Sequence, residues 1–158
     1  MTSLATQRYG RGRPSIAPRR VDPPHEETDD IVFHVENHLE SWRHLAHFIS
    51  LARAKRFDPS DEDQFLELKG VIVQELELIF SSGECSSPAK DDVHTMMNNA
   101  PSLRSLSQSN EGALRNLEHQ WHLIYIAWHA TLGQIKVKHR TLEVLHPKTS
   151  LLQKWSSW

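Results

Sequence analysis

The sequence predicts an all-α protein, an antiparallel three- or four-helix bundle that follows a disordered N-terminal tail. Three observations predict this fold. Apolar residues recur at alternating steps of three and four along three long segments, which is the spacing of one helix face. Asp58-Pro59, followed by acidic residues, is typical of a helix start. The turn before this start is short, so the first two helices should pack as an antiparallel hairpin.

Composition limits the class of protein. The 158 residues suffice for one domain with a core, and the predicted bundle spans residues 29–146. The net charge of −2 gives no support for a general attraction to nucleic acid or anionic membranes. The single cysteine, Cys85, excludes an internal disulfide, and no apolar run approaches the roughly 20 residues of a membrane helix. We therefore expect a cytoplasmic protein without a membrane segment, and the sequence indicates no cofactor.

Residues 1–28 are predicted to be a disordered tail, because glycine, proline and charged residues leave almost nothing apolar to bury. The charges are segregated into an arginine-rich first part and an acidic second part. The sequence leaves three roles open for this tail, namely a linker, an organelle transit peptide or a DNA-binding segment.

Arg11-Gly12-Arg13-Pro14 lies within the arginine-rich part of the tail. This tetrapeptide resembles the core of an AT-hook, a short motif that binds the minor groove of AT-rich DNA. The resemblance implies that Gly12 lets the extended backbone sit deep in the groove, while Arg11 and Arg13 point along it into its negative potential. A DNA-tethering protein is therefore the first alternative function, with nucleic acid bound through the tail only.

The first long helix is predicted over residues 30–56, beginning near Asp29 or Asp30, where a carboxylate can cap free backbone N–H groups. Cations crowd its last turn, where they suit the negative end of the helix dipole. Its buried side is expected to consist of Ile31, Val35, His38, Trp42, Leu45, Ile49 and Ala52.

The second helix is predicted over residues 59–81, with Asp58 as its N-cap and Pro59 in its first position. Its acidic residues, Glu75 among them, are expected mostly on the solvated side. The inward-facing residues are expected to be Phe65, Leu68, Ile72, Leu76 and Ile79.

A polar connection follows over residues 81–110. A connection of this length is unusual in a compact domain, so we expect some structure within it, including a short helix at about 88–98 that Ser87-Pro88 starts. Leu103 and Leu106 are expected to extend the next long helix backwards from Ser109-Asn110.

The third long helix is predicted over residues 110–145, and we expect the rest of the chain to be organised around it. Two apolar faces follow its length on roughly opposite sides, at about 100° per residue. The first face comprises Leu114, Leu117, Trp121, Ile124, Trp128, Thr131, Leu132, Ile135, Lys138, Leu142 and Leu145. The second comprises Leu123, Ile126, Ala130, Gly133 and Val137. This helix is therefore either the central helix of a monomer, with its second face covered from within, or the place where another chain binds.

Residues 147–158 are predicted to be an amphipathic C-terminal tail, since Pro147 interrupts the helical pattern and four apolar residues then share one side of a short helix. Trp155 and Trp158 either pack back on their own domain or anchor a partner, because tryptophan contributes strongly to protein–protein contacts.

Three pairs of histidines are spaced so that a helix places both rings on one side, namely His34 with His38, His44 with His47, and His119 with His122. The first and third pairs are the candidate metal ligands. Such pairs can offer ligands to zinc or iron. A metal-binding helical bundle is therefore the second alternative function. The di-iron bundles, however, use a Glu-x-x-His motif from each of two helices, and this sequence has that spacing only once, at Glu143 and His146. No catalytic motif occurs, since Cys85 lies in a serine-rich loop without a neighbouring base and there is no nucleophile elbow or phosphate-binding loop.

The predicted function is a non-enzymatic helical module for protein–protein interaction or self-association. The small residues Ala130 and Gly133 would let the backbone of a neighbouring helix approach closely. The predicted interface with a protein partner or a second copy comprises Leu123, Ile126, Ala130, Gly133, Val137, Trp155 and Trp158.

Overall fold

The computed structural model describes residues 24–145, with side chains from residue 30 onward, and this part of the chain is all-α. Five helices follow one another, α1 (Pro24–Ala54), α2 (Pro59–Ser81), α3 (Lys90–Asn99), α4 (Leu103–Ser107) and α5 (Glu111–Leu145). The predicted fold class is confirmed. Most of the predicted N-terminal tail and the whole C-terminal tail lie outside the described residues.

α1 begins at Pro24, a few residues before Asp29 and Asp30, where the sequence predicted its start. Proline suits the first helical position, because its fixed φ fits a helix and no N–H is needed there. The helix ends at Ala54, and Lys55 turns the chain with a φ of 54°.

α2 begins and ends at the predicted residues, and a capping box starts it. The Asp58 carboxylate accepts a hydrogen bond from the Asp61 backbone N–H, and the Asp61 carboxylate accepts one from the Asp58 N–H, both at 2.9 Å. α2 runs antiparallel to α1, since Phe65 near its start meets Phe48 near the end of α1, with ring centroids 6.0 Å apart.

The connection between α2 and α5 contains two helices, and the predicted backward extension of α5 is wrong. The reason is a second set of caps. The Ser102 hydroxyl accepts a hydrogen bond from the Ser105 N–H at 3.0 Å, which starts α4, and the Asn110 side chain accepts one from the Ala113 N–H at 2.8 Å, which starts α5. Leu103 and Leu106 are therefore buried from α4.

α1 is the central helix of the described chain, which corrects the expectation that α5 would be. α2, α4 and α5 all pack against α1, whereas α3 packs against α5 and α2. The direction of α5 is antiparallel to α1, because Arg53 near the end of α1 pairs with Glu118 at 2.8 Å and Glu36 near its start pairs with Lys136 at 2.6 Å.

The core follows the predicted faces of the three long helices. All seven expected residues of α1 are buried, as are four of the five expected in α2, with Leu68 half-buried. The first face of α5 is buried at Leu114, Leu117, Ile124, Trp128, Thr131, Leu132 and Ile135. Trp121 is half-buried, and the final members, Lys138, Leu142 and Leu145, are exposed.

Candidate interaction surface on α5

The outer face of α5, which we define as Leu123, Ile126, Ala130, Gly133 and Val137, is open to solvent. Leu123 is 54% exposed, Ile126 51% and Val137 63%, and the two small residues are exposed as well. The possibility that another helix of the same chain covers this face therefore does not hold among the described residues.

The rotation of α5 about its axis is fixed by its contacts with α1. The Trp121 indole N–H donates a hydrogen bond to the Trp42 backbone carbonyl at 2.9 Å, and the Arg43 guanidinium donates one to the Tyr125 hydroxyl at 2.9 Å. Trp128, on the inner side, is completely buried. Since residues about 180° apart on a helix face opposite directions, these contacts turn the outer face away from the bundle.

The outer face differs from an ordinary solvated helix side in its chemistry. From His119 to Ile135, α5 has no lysine, arginine, aspartate or glutamate. A surface helix normally places charged residues opposite its buried stripe. The structure thus has a helix with large apolar residues on the side that faces water, next to the exposed His122 and His129.

Gly133 lies within the outer face and has open space around it. A Cβ atom added at this residue would meet no atom within 4 Å. Glycine inside a helix costs roughly 1 kcal/mol relative to alanine. No packing contact within the described chain accounts for this cost.

A polar cluster lies on the opposite side of α5, in the core. The His38 ring is completely buried, and its Nδ1 lies 2.9 Å from the Glu75 carboxylate while its Nε2 accepts a hydrogen bond from the Trp42 indole N–H at 2.9 Å. An indole N–H can only donate, so Nε2 carries no proton and Nδ1–H donates to Glu75. Glu75 was expected on the solvated side, but its side chain is only 24% exposed.

This cluster is structural in character. His38 has no ring nitrogen left for a substrate or a metal, and it is shielded by Trp128, whose ring centroid lies 4.5 Å away. Trp128 contributes no hydrogen bond of its own, because its buried indole N–H has no acceptor among the described residues. The arrangement therefore positions α1, α2 and α5 against one another.

The predicted metal-binding histidines are not brought together. His34 is half-buried, His38 is engaged as described, and His119 and His122 are exposed on α5. Within the range from residue 24 to residue 145, there is no group of three or more His, Cys, Asp or Glu side chains that could hold a metal ion.

Cys85 is buried, and its surroundings do not activate the thiol. Burial raises its pKa above the ordinary value, and the negative charge of Glu84 raises it further. A raised pKa lowers the fraction of nucleophilic thiolate at neutral pH.

A surface cleft of about 310 Å³ lies between α1 and α5, next to Trp121. Its walls include Ile49 and His122 and the carboxylate of Glu118. That carboxylate already pairs with Arg53 at 2.8 Å. The cleft is thus an apolar groove with a neutralised acid at its edge.

Comparison with protein-family models, with curated proteins and with solved structures gave no match. Between residues 24 and 145, no helix has both the length and the apolarity to cross a membrane.

Several predicted site residues lie outside the described range, namely Arg11, Gly12 and Arg13 of the AT-hook-like segment and Trp155 and Trp158 of the C-terminal tail. Sequence reasoning missed the partner of His38. The one available signal was that His38 fell within an apolar face, where a buried ring requires hydrogen-bond partners.

Proposed function

We propose that the protein is a non-enzymatic interaction module that binds a helix, from a protein partner or a second copy of itself, on the outer face of α5. The observation that carries the proposal is the half-exposure of Leu123, Ile126 and Val137 on one side of a helix whose other side is firmly packed. An amphipathic helix that lies in an apolar groove or on an apolar stripe is a common mode of recognition.

The energy available from this face indicates a transient association. Full burial of a leucine, isoleucine or valine side chain contributes about 1.5–3 kcal/mol. The three large residues are already about half-buried, so they can add roughly 3 kcal/mol in total. A micromolar complex needs about 8 kcal/mol. Further contacts are therefore required. Ala130 and Gly133 are small enough to let the backbone of a partner helix come close and form them.

The proposal is tested with the intact chain and a matched pair of variants, Ile126→Asp on α5 and Leu78→Asp on α2. Their side chains are 51% and 49% exposed, so each substitution places a charge on an equally accessible site. Circular dichroism should first be used to check that both variants keep the helical content of the original chain.

Two measurements follow, the mass of the purified protein as a function of concentration and the set of proteins that the immobilised chain retains from an extract. We expect Ile126→Asp to abolish whichever association the original chain shows, while Leu78→Asp preserves it. A monomer at every concentration, together with identical retained proteins for all three chains, would remove the proposal.

A further inference from the structure

The apolar pattern of the outer face continues into the last turns of α5. Val137 is followed at steps of three and four by Arg140 and Val144, and Val144 is 77% exposed. Arg140 and Glu143 carry charges in this region, and neither forms an ion pair with a described side chain. The C-terminal end of α5 thus presents an apolar surface with one cation within it and one anion at its edge.

The segment that follows α5 carries the complementary pattern. Residues 146–158 lie outside the described range, and their sequence places Leu151, Trp155 and Trp158 at steps of four and three. This order of steps is the reverse of that on α5. When two helices pack antiparallel, the numbers of the two residues that face each other add up to the same value in every layer. An antiparallel partner of α5 therefore needs the steps of three and four in the reverse order.

We propose that residues 149–158 form a short helix that packs antiparallel on the last turns of α5. Three layers then form, in which Val144 meets Leu151, Arg140 meets Trp155, and Val137 meets Trp158. In the central layer the guanidinium lies against the indole face, a favourable cation–π contact.

Two further features of the sequence fit this register. His146, Pro147 and Lys148 supply a connection of the length found in helical hairpins, and Thr149 is a suitable N-cap after it. Lys154 falls near Glu143 at the edge of the layers, where opposite charges favour pairing.

The size of the surface is sufficient for a segment that is joined to the same helix. The outer face of α5 and its continuation to Val144 together measure about 32 Å by about 10 Å, which gives an area of roughly 300 Å². Stable complexes bury about 800 Å² per partner. A segment joined to the same helix does not need so large an area, because a short linker gives it an effective concentration in the millimolar range.

The docked segment would divide the outer face into two parts. The C-terminal segment covers Val137 and the turns that follow, and Leu123, Ile126, Ala130 and Gly133 stay open to a partner. This docking goes beyond the proposed function and shares only Val137 with it, so either proposal can fail without the other.

Disulfide formation in the full-length chain tests the inference. Cys85 is replaced by alanine, and cysteine pairs are introduced as Val137→Cys with Trp158→Cys and, as a control, Lys138→Cys with Trp158→Cys. Lys138 lies at the same distance along α5 but about 100° around it. An unstructured segment reaches both positions equally, whereas a docked one reaches only the first.

We expect the Val137 pair to close within one chain at least about tenfold faster than the Lys138 pair, since disulfide geometry admits only a narrow range of distances. Equal rates would overturn the inference. Disulfides that form mainly between chains would also overturn it and would place the segment on a second copy.

Hydrogen exchange provides a measurement without cysteine variants. In the original chain, the amides of residues 152–158 should exchange slower by about tenfold or more than in Val144→Asp, because the substitution removes the first layer. Leu123→Asp, outside the three layers, should leave that protection unchanged. Unprotected amides in the original chain contradict the inference.

Discussion

α1 and α5 are the two longest helices of the described chain, and they meet their surroundings in different ways. α1 is contacted by α2, α4 and α5, so its predicted apolar face is buried along nearly the whole described length, and Phe33, which is 60% exposed, lies outside that face. α5 has apolar residues on two sides, but only the side toward α1 and α3 is buried. One helix is enclosed by its own chain, and the other is half-enclosed.

The difference shows what an apolar helix face does and does not establish. A spacing of three and four residues determines which side chains share a side. It does not determine whether the chain has an element to place there. Neighbouring helices cover the predicted apolar face of α1, whereas none of the described helices covers the outer face of α5. The outer face of α5 is therefore the candidate interaction surface.

The largest effect we expect separates the two sides of α5. Trp128→Ala should lower the free energy of unfolding by about 3–5 kcal/mol, because a completely buried indole is lost. Ile126→Ala, on the outer face, should lower it by less than about 0.5 kcal/mol. Urea denaturation of both purified variants measures the two values. Equal losses would mean that the outer face is also packed in solution.

An intermediate effect concerns the polar contact that joins α1 to α2. Glu75→Leu leaves the buried Nδ1–H of His38 without an acceptor, so the free energy of unfolding should fall by about 1–3 kcal/mol. Glu75→Gln retains an acceptor oxygen and serves as the control. If both variants unfold at the same urea concentration, the hydrogen bond between His38 and Glu75 does not contribute to the stability of the packing between α1 and α2.

The smallest effect lies on the surface, away from α1. A hydrogen bond from Lys90 holds the pKa of Glu77 below its ordinary value of 4.5. A depressed pKa contributes stability that is present above the ordinary pKa and is lost as the pH falls through the lower folded value. The pair is exposed, so its contribution should be slight.

Carboxyl-carbon NMR titration checks this prediction. Lys90→Met should move the midpoint of Glu77 upward, toward 4.5, and should leave the urea midpoint at neutral pH nearly unchanged. A large loss of stability at neutral pH would show that this surface contact contributes substantially to the free energy of unfolding, as the buried contacts of α1 do.

Much of the fold could be predicted from local rules. The capping box at Asp58 and Asp61 requires residues three apart in sequence, so the start of α2 was visible without any tertiary information. The buried face of α1 could be predicted from the periodicity of its apolar residues alone, and the prediction included the buried His38.

The rest depends on contacts between distant residues. Glu75 lies 37 residues from His38, and only the angle between α1 and α2 brings their side chains together. The start of α4 depends on the capping hydrogen bond of Ser102. In the sequence, Ser102 is not distinguished from the other polar residues of the connection. The outer face of α5 was predicted as a set of residues, but its exposure depended on where α2 and α3 came to lie.

The central place of α1 has a consequence for the order in which the protein folds. α1 is synthesised long before α5, and their contacts join residues as far apart as Glu36 and Lys136, separated by 100 positions. Contacts so distant in sequence slow folding more than they weaken the final state. During synthesis, the side of α1 that carries Trp42 and Ile49 therefore stays uncovered until α5 emerges, after α2 has already done so. We expect the ribosome-bound chain to present this unfinished apolar side until residues near Lys136 have left the exit tunnel.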